Sequence, residues 1–388
     1  MPVHVLLKIL AMTLQSFLTV QMPLFVLRCS ILLNSLQITL INSAVFFGHY
    51  VIIAGALNLQ FGNAGIPNMS SNVSVAMGAY TVSSVVLRVS MWVAERAGLV
   101  FKPDWVFDNP YNVNLMTAYF RNEPLLSLSL ILFSIAMALV LGSVVGYFIG
   151  MLSGRLRASR MMMLTLIISE GTRIIAANNE FIAGGTIGSF VPNFFAWYEG
   201  EQMVILAMVI LLVGLSCYYL MHIMLNSPYG RLMRAMRDNE MTLASTGKDI
   251  GHLRSEVMMF GSGIMAVAGV LLAFYYSFVQ YNLYGRIDYT FWPWLMITIG
   301  GLGSNPGGYV GTLLSVSILK GLTLTKQTIG PVLIGTKWIK LVTYFEDIIL
   351  GGLLLLFLVF KPRGLVPEKN LVIRDVNYID IILGKASP

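Results

Sequence analysis

Residues 125–150 read LLSLSLILFSIAMALVLGSVVGYFIG, a stretch without one charged side chain. A helix needs about 20 apolar residues to cross the hydrocarbon core of a bilayer, because each residue adds about 1.5 Å of rise. The stretch is long enough to span a membrane as a single helix. It predicts that this chain is an integral membrane protein.

The composition of the whole chain supports the same prediction. Of its 388 residues, 56% are hydrophobic and only 11% are charged, whereas soluble domains carry about 25% charged residues. We expect an all-α, polytopic membrane protein with about ten transmembrane helices and no separate soluble domain. Candidate spans lie at 5–27, 36–59, 72–97, 125–150, 160–180, 202–225, 255–280 and 344–360, and a glycine-broken region at 288–325 adds two shorter helices.

The apolar N-terminal run is interpreted as a retained span. It carries Lys8, Gln15, Gln21 and Pro23 and has no small-residue pattern for signal-peptide cleavage. The sequence therefore predicts three regions: an N-terminal span and leader at 1–30, a transmembrane domain at 31–367 and a tail at 368–388.

Basic residues orient the predicted spans, because cytoplasmic loops of membrane proteins are enriched in Lys and Arg. The loops at 98–124, 181–201 and 281–287 hold few of them and are predicted to lie outside, with both termini and the glycine turn at 300–308 inside. One group contradicts this rule, since Lys326, Lys337 and Lys340 fall outside in this topology. The basic clusters predicted to be cytoplasmic are Arg155, Arg157 and Arg160, then Arg231, Arg234, Arg237, Lys248 and Arg254, and then Lys361, Arg363, Lys369, Arg374 and Lys385.

A basic amphipathic stretch, SPYGRLMRAMRDNEMTLASTG, occupies residues 227–247 between two candidate spans. Its arginines recur at helical spacing, Asp238 or Asn239 can cap a second short helix, and Gly247 can close that helix in the left-handed conformation. Two interpretations stay open: a cytoplasmic docking element for a soluble motor, or an ordinary positive loop. The candidate coupling residues are Arg231, Arg234, Arg237, Glu240, Thr242, Ala244 and Gly247.

Residues 58–72, NLQFGNAGIPNMSSN, are polar for a segment between two spans. Glycine and proline interrupt the helix here, and unpaired backbone groups at membrane depth need protein or water as partners. Polar broken elements of this kind line solute pathways in transporters, although a plain interhelical loop is the alternative. The candidate pathway residues are Asn58, Gly62, Asn63, Gly65, Asn68, Ser70, Ser71 and Asn72.

Glu170 and Arg173 lie three residues apart inside the candidate span 160–180. Charged side chains in membranes are usually paired, so we interpret them as a structural ion pair, with a proton relay as the alternative. The four histidines are scattered, and no nucleophile, base and orienting group can be assembled. We therefore expect no catalytic residues, no metal and no cofactor bound by this chain.

Six ordered motifs make the chain resemble the branched-chain amino acid permease family of bacterial and archaeal ABC importers, over about residues 34–367. It is similar to the larger of that family's two paired permeases. The residues after Pro67 depart from the family, which often has Ser-Leu-Gly-His where this chain has Asn-Met-Ser-Ser, so no histidine role carries over. The motifs are Asn58 to Thr81, Arg155 to Arg173, Gly184-Gly185, Tyr229 to Gly247, Gly300 to Ser304, and Lys361 to Leu365.

The resemblance implies a fold of the large-importer type and a permease subunit that takes up leucine, isoleucine and valine in the plasma membrane. Its implied partners are a second permease, two cytoplasmic ATPases that bind ATP and Mg²⁺, and an extracytoplasmic solute-binding protein. The alternatives are a urea, amide or other amino-acid ABC permease and a secondary transporter. A membrane-embedded enzyme is also possible in principle, but the sequence shows no convergent cluster for catalysis.

Overall fold

The computed structural model describes residues 22–324, 348, 351–352, 355–357, 359–361 and 363–368. Most of the predicted spans 5–27 and 344–360 lies outside these residues. The lysines Lys326, Lys337 and Lys340 and the tail after Glu368 also lie outside them.

The described chain is built almost entirely of helices. Three π-helical turns are continuous with α-helices, at Asn58–Asn63, Val82–Val86 and Ile287–Phe291. The α-helices are α1 (Met22–Leu57), α2 (Ser71–Thr81), α3 (Leu87–Arg96), α4 (Asn109–Asn122), α5 (Pro124–Ser153), α6 (Ala158–Asn178), α7 (Glu180–Ala183), α8 (Gln202–Asn226), α9 (Pro228–Asp238), α10 (Glu240–Ser245), α11 (Ile250–Tyr276), α12 (Trp292–Gly300) and α13 (Asn305–Leu324).

Five segments within the described residues are long and apolar enough to cross a membrane. They are Gln37–Asn63, Ser71–Arg96, Pro124–Ser153, Gln202–Asn226 and Ile250–Tyr276. Each overlaps a predicted span, so the polytopic all-α class is confirmed. The predicted span 160–180 forms helix α6, which is more polar than these five.

One predicted boundary is wrong. The sequence predicted separate spans at 5–27 and 36–59, but residues 22–57 form one continuous helix. Residues 24–47 contain neither glycine nor proline, so nothing interrupts the backbone hydrogen bonds. The predicted boundary between residues 30 and 31 therefore falls inside helix α1.

Helix α11 is the centre of the molecule. It packs against α5 on one side and α2 on another, and most of its membrane-crossing part is buried. Helix α5 approaches it along a stripe of glycines, where a Cβ at Gly146 would lie only 2.4 Å from the Cβ of Ser262. Small residues at such a contact allow the backbones to approach closely, which is how helices associate without a hydrophobic driving force.

Helices α5 and α8 present apolar side chains outward. On α5, Leu132 and Phe148 are exposed, and on α8 Leu212 and Leu215 are each 67% exposed. A soluble protein rarely exposes a continuous apolar surface of this size. These two helices therefore form part of the surface that faces lipid or another membrane subunit.

The glycine-broken region forms two antiparallel helices, α12 and α13, joined by a turn at residues 301–304. Beyond the C-terminal end of α11, strand β2 (Phe278–Val279) pairs antiparallel with strand β1 (Ser189–Phe190), with Ser189 opposite Val279. This pairing joins the loop after α7 to the end of α11.

The predicted topology can be tested with two introduced cysteines. In a Cys29→Ser, Cys217→Ser background, Thr186→Cys should react with an impermeant thiol reagent in intact cells, and Lys248→Cys should react only after permeabilisation. Both positions are solvent-exposed, so a lack of reaction reports sidedness and not burial. Labelling of Lys248→Cys in intact cells would contradict the assigned orientation.

Candidate functional site

The polar segment begins with Asn58, which anchors the turn between α12 and α13. Its Oδ1 accepts a hydrogen bond from the Gly303 amide at 2.9 Å, and its Nδ2 donates to the Ser304 carbonyl at 3.1 Å. Asn58 is almost fully buried, and buried polar groups are normally paired in this way. The helix continues through Asn63 as a π-helical turn, so the predicted break starts later than its first glycine, Gly62.

Asn68 holds the non-helical part of this segment. Its Nδ2 donates to Gln60 Oε1 at 2.8 Å, and its Oδ1 accepts from both the amide and the hydroxyl of Ser70 at 2.7 Å. The Trp294 indole donates to the Asn68 carbonyl at 3.1 Å. The loop is therefore fixed to both the preceding helix and α12.

Asn72 connects α2 to two other elements. Its Oδ1 accepts from Ser169 Oγ at 2.9 Å and from Thr290 Oγ1 at 3.3 Å, and its Nδ2 donates to the Tyr284 carbonyl at 3.4 Å. Residues from four parts of the chain thus meet at one buried amide.

Most candidate pathway side chains are therefore occupied by hydrogen bonds. Asn63 Nδ2 also donates, to the Asn58 carbonyl at 3.1 Å. Among the described residues, buried hydroxyls with no hydrogen-bond partner include those of Ser71, Ser74 and Tyr284. Such groups are costly to bury unless water or a solute reaches them, so a role for this segment in the pathway stays a prediction.

Arg237 joins this polar segment to helix α9. Its Nη1 donates to the Gly62 carbonyl at 2.6 Å and to Glu368 Oε2 at 2.8 Å. Burial disfavours the charged guanidinium, but the hydrogen bond and the charge of Glu368 outweigh it and raise the pKa of Arg237. Gly65, with φ of +70°, packs against the Arg237 side chain, and a Cβ there would lie 3.1 Å from its Cγ.

Helix α10 follows directly. The Asn239 side chain caps its N-terminus by accepting a hydrogen bond from the Thr242 amide at 3.1 Å. Gly247 follows its C-terminal end in the left-handed conformation, with φ of +81°. Both local predictions are confirmed. The helix is exposed except at Leu243, and Met241 is 82% exposed, so nearly all of the surface of α10 is accessible.

A second arginine, Arg254, connects α10 to the turn after α5. Arg254 forms an ion pair with Glu240, and its Nη1 donates to the carbonyls of Gly154 at 2.8 Å and Leu156 at 3.1 Å. These carbonyls belong to the turn after α5. Movement of α10 would therefore pull on this turn as well as on the Arg237 contact.

Comparisons with known proteins decide the family. The family described as "Branched-chain amino acid transport system / permease component" matches residues 39–358. This chain belongs to that family. It is therefore a multi-pass permease of the plasma membrane.

Several curated relatives resemble the permease. A "Probable branched-chain amino acid transport permease protein LivM" of Methanocaldococcus jannaschii is 33% identical over 329 residues, which are 84% of this chain and 93% of the relative. The LivM permease of Escherichia coli is 22% identical over 59% of this chain and 55% of its own length. A "Tyrosine transport system permease protein" of Clostridioides difficile is 21% identical over 54% of this chain and 62% of its own. No solved structure matches the permease significantly.

The remaining coupling candidates occupy different faces of α9. Met233 and Met236 are buried and Arg231 is exposed, so the helix is amphipathic as predicted. Arg234 is partly buried, with its Nε inside the protein. Of the three predicted arginines, Arg237 is the one that hydrogen-bonds to the polar segment, at the Gly62 carbonyl.

Glu170 and Arg173 form the predicted ion pair on α6, with Arg173 Nε donating to Glu170 Oε1 at 2.8 Å. Arg286 Nη2 lies 3.7 Å from the other carboxylate oxygen. The Glu170 and Arg173 side chains are each about one-third exposed. A paired and accessible carboxylate fits the structural interpretation, and neither role has been tested.

Sequence reasoning missed Arg254 and Glu368 as parts of the site. In the sequence, Arg254 indicates only a charge that orients the chain, and Glu368 falls in the predicted tail at 368–388. Leu365 and Val366 donate their amides to Ile299 and Gly300 at 3.0 and 2.9 Å. These bonds bring Glu368 to Arg237, and no local pattern in the sequence signals them.

Loss of the Asn58 amide should destabilise the permease. Asn58→Ala leaves the buried Gly303 N–H unpaired, and an orphaned group of this kind costs about 1–3 kcal/mol. It also removes one of the two hydrogen bonds of the Ser304 carbonyl, which still accepts from the Gly308 amide at 3.0 Å. We expect a clear fall in the midpoint of thermal unfolding in detergent. Asn178→Ala is the matched control, because Asn178 is exposed and bonds only to Ile174 one turn away. Equal midpoints for the two variants would show that Asn58 does not hold the glycine turn.

Proposed function

We propose that this permease imports leucine, isoleucine and valine, and that separate ATPases drive it. The family description and the names of its relatives support this substrate class. The complete transporter would contain a second permease, two cytoplasmic ATPases and an extracytoplasmic solute-binding protein. ATP and Mg²⁺ would bind to the ATPases, and this chain would contribute no catalytic residue. We further propose a fold of the large-importer type with about ten spans.

Two observations carry the proposal for coupling. Helix α10 is exposed, and the contacts of Arg237 and Arg254 connect α9 and α10 to the rest of the protein. Arg237 joins the end of α9 to the Gly62 carbonyl, and Arg254 joins Glu240 to the turn after α5. A motor that moved α10 would act on both connections. A ligand or partner shifts a conformational equilibrium only if its contacts differ between the two states. The contacts of Arg237 and Arg254 can differ between the outward-open and inward-open states.

The route from α10 to the pathway is short. Asn58 and Asn63 belong to the π-helical turn that contains Gly62, and Asn58 in turn holds the turn between α12 and α13. π-Helical turns often occur at functional sites because they are less regular than the α-helix. ATP-driven closure of the motors would thus bias the permease between outward-open and inward-open states through this segment.

Substrate competition tests the proposed function. Cells that lack the gene should lose high-affinity uptake of radiolabelled leucine and regain it when the gene returns. Excess isoleucine and valine should compete with leucine, whereas tyrosine and urea should not. Tyrosine is included because one relative is named for its transport. Competition by urea or tyrosine, without competition by isoleucine and valine, would replace the proposed substrate.

A further inference from the structure

An apolar groove runs along the outside of the helical bundle between α1, α8 and α13. It has a volume of about 530 Å³, and its lining includes Phe47, Val51, Leu211, Leu215 and Val310. The side chain of Leu215 is 67% exposed, and those of Leu211 and Val310 are about 40% exposed. The groove is therefore open on the apolar surface that faces lipid or another membrane subunit.

A polar cavity of about 440 Å³ continues the groove at one end, and Pro306 lines both. On α8, Tyr218 in the groove and His222 in the cavity are one helical turn apart, with their ring centres 6.0 Å from each other. The cavity is also bordered by the turn at 301–304 and by α9. Because α9 belongs to a basic cluster that is predicted to be cytoplasmic, the polar end lies at the predicted cytoplasmic surface.

Arg234 gives this cavity a positive charge. Its Nε is buried without a hydrogen-bond partner among the described residues. The carboxylates of Glu368, which also lines the cavity, and of Asp238 both pair with Arg237 instead. Arg234 is therefore a cation that no described carboxylate balances, and the cavity favours a ligand with a negative charge.

The groove and the cavity together have the depth of one membrane leaflet. From His222 to Leu211, α8 rises by about 17 Å, and one leaflet contributes about 15 Å, half of the hydrocarbon core. The Tyr309 hydroxyl is buried without a hydrogen-bond partner, one turn beyond the shared Pro306. Polar groups thus lie at headgroup depth and apolar groups where an acyl chain extends.

An anionic phospholipid fits all of these features. Basic pockets between transmembrane helices on the cytoplasmic side are typical binding sites for anionic headgroups. A soluble anion would occupy the cavity and leave the groove empty. An apolar helix of another subunit would fill the groove and leave the charge of Arg234 unbalanced.

We propose that one anionic phospholipid of the cytoplasmic leaflet binds along α8 and α13. Arg234 and the Asn305 side chain, which also lines the cavity, donate hydrogen bonds to its phosphate. The Tyr309 hydroxyl donates to an oxygen of the glycerol region, and one acyl chain lies in the groove. Because Arg234 belongs to α9, the bound lipid connects α9 to α8 and α13.

Lipid binding to the purified, delipidated full-length permease tests the headgroup contact by native mass spectrometry. Dioleoyl phosphatidylglycerol should bind at one site at least fivefold more tightly than dioleoyl phosphatidylcholine, because the guanidinium attracts the net negative charge. Arg234→Gln should reduce phosphatidylglycerol binding to the level of phosphatidylcholine, and Arg234→Lys should retain the preference. Arg160→Gln is the matched control, because Arg160 is exposed in another predicted cytoplasmic cluster, and it should also retain the preference.

Two changes test the groove in the same assay. Phosphatidylglycerol with six-carbon chains should bind at least tenfold more weakly than the dioleoyl lipid, since less apolar surface is buried. Leu215→Trp should crowd the groove and weaken both dioleoyl lipids about fivefold, while the preference for phosphatidylglycerol remains. Leu212→Trp is the matched control, because Leu212 is equally exposed on α8 but does not line the groove.

Four results would overturn the lipid site. Equal binding of the two dioleoyl lipids to the unchanged permease would show that the charge is not recognised, and equal loss of both in Arg234→Gln would show structural damage in place of headgroup recognition. Equal binding of the six-carbon and dioleoyl lipids would indicate a phosphate site without an acyl chain. Release of a second membrane subunit by Leu215→Trp, with lipid binding unchanged, would identify the groove as a subunit interface.

Discussion

Replacing Ala244 with proline should abolish coupled transport and leave the permease inserted in the membrane. Proline removes a backbone donor and clashes with the preceding turn, which costs about 3 kcal/mol or more inside a helix. At about 1.4 kcal/mol per tenfold change, the equilibrium constant for forming α10 falls by about a hundredfold. The helix lies outside the spans and is exposed except at Leu243, so the membrane domain should still fold.

The measurements are leucine uptake, ATPase activity stimulated by substrate, and co-purification of the ATPases. Ala244→Ser is the matched control, because it alters the same exposed position and keeps the backbone N–H. We expect the serine variant to transport normally, and the proline variant to lose either the ATPases or the coupling of hydrolysis to uptake. Full coupled transport in Ala244→Pro would show that the motors bind elsewhere.

Replacing Arg237 with methionine should uncouple the motors without releasing them. Methionine preserves much of the side-chain volume but cannot bond to the Gly62 carbonyl or Glu368. The loss of these charge-assisted contacts costs about 2 kcal/mol, more than enough for a tenfold shift in a two-state equilibrium. We expect ATP hydrolysis to continue while leucine uptake and its stimulation of hydrolysis both fall.

Lys248→Met is the control for this change, because it removes one positive charge from an exposed position close to the same region. It should retain uptake and bind the ATPases normally. If Arg237→Met also retains coupled uptake, the contact between α9 and Gly62 does not transmit the movement. If it loses the ATPases altogether, Arg237 maintains the docking surface and does not connect it to the polar segment.

Local chemistry made several elements predictable. The uncharged stretch 125–150 and the span 202–225 correspond to helices Pro124–Ser153 and Gln202–Asn226. Asn239 and Gly247 take the predicted capping and left-handed roles, because both depend only on neighbouring backbone groups. The prediction of separate spans at 5–27 and 36–59 failed, since no glycine or proline at 24–47 interrupts the helix.

Long-range contacts could not be predicted. The bond from Gly303 to Asn58 joins residues 245 positions apart, and that from Arg237 to Gly62 joins residues 175 apart. Each partner looks ordinary in its own segment. The sequence thus identified the polar segment and the candidate coupling stretch separately, whereas their connection depends on the packing of the π-helical turn Asn58–Asn63 against α9.

ATP-dependent leucine accumulation tests the central claim most directly. The permease would be purified with the subunits that accompany it from native membranes and reconstituted in liposomes with its solute-binding protein. We predict that radiolabelled leucine accumulates only when ATP, Mg²⁺ and the binding protein are all present, with no imposed ion gradient. Accumulation driven by a proton or sodium gradient in the absence of ATP would contradict the account and identify a secondary transporter.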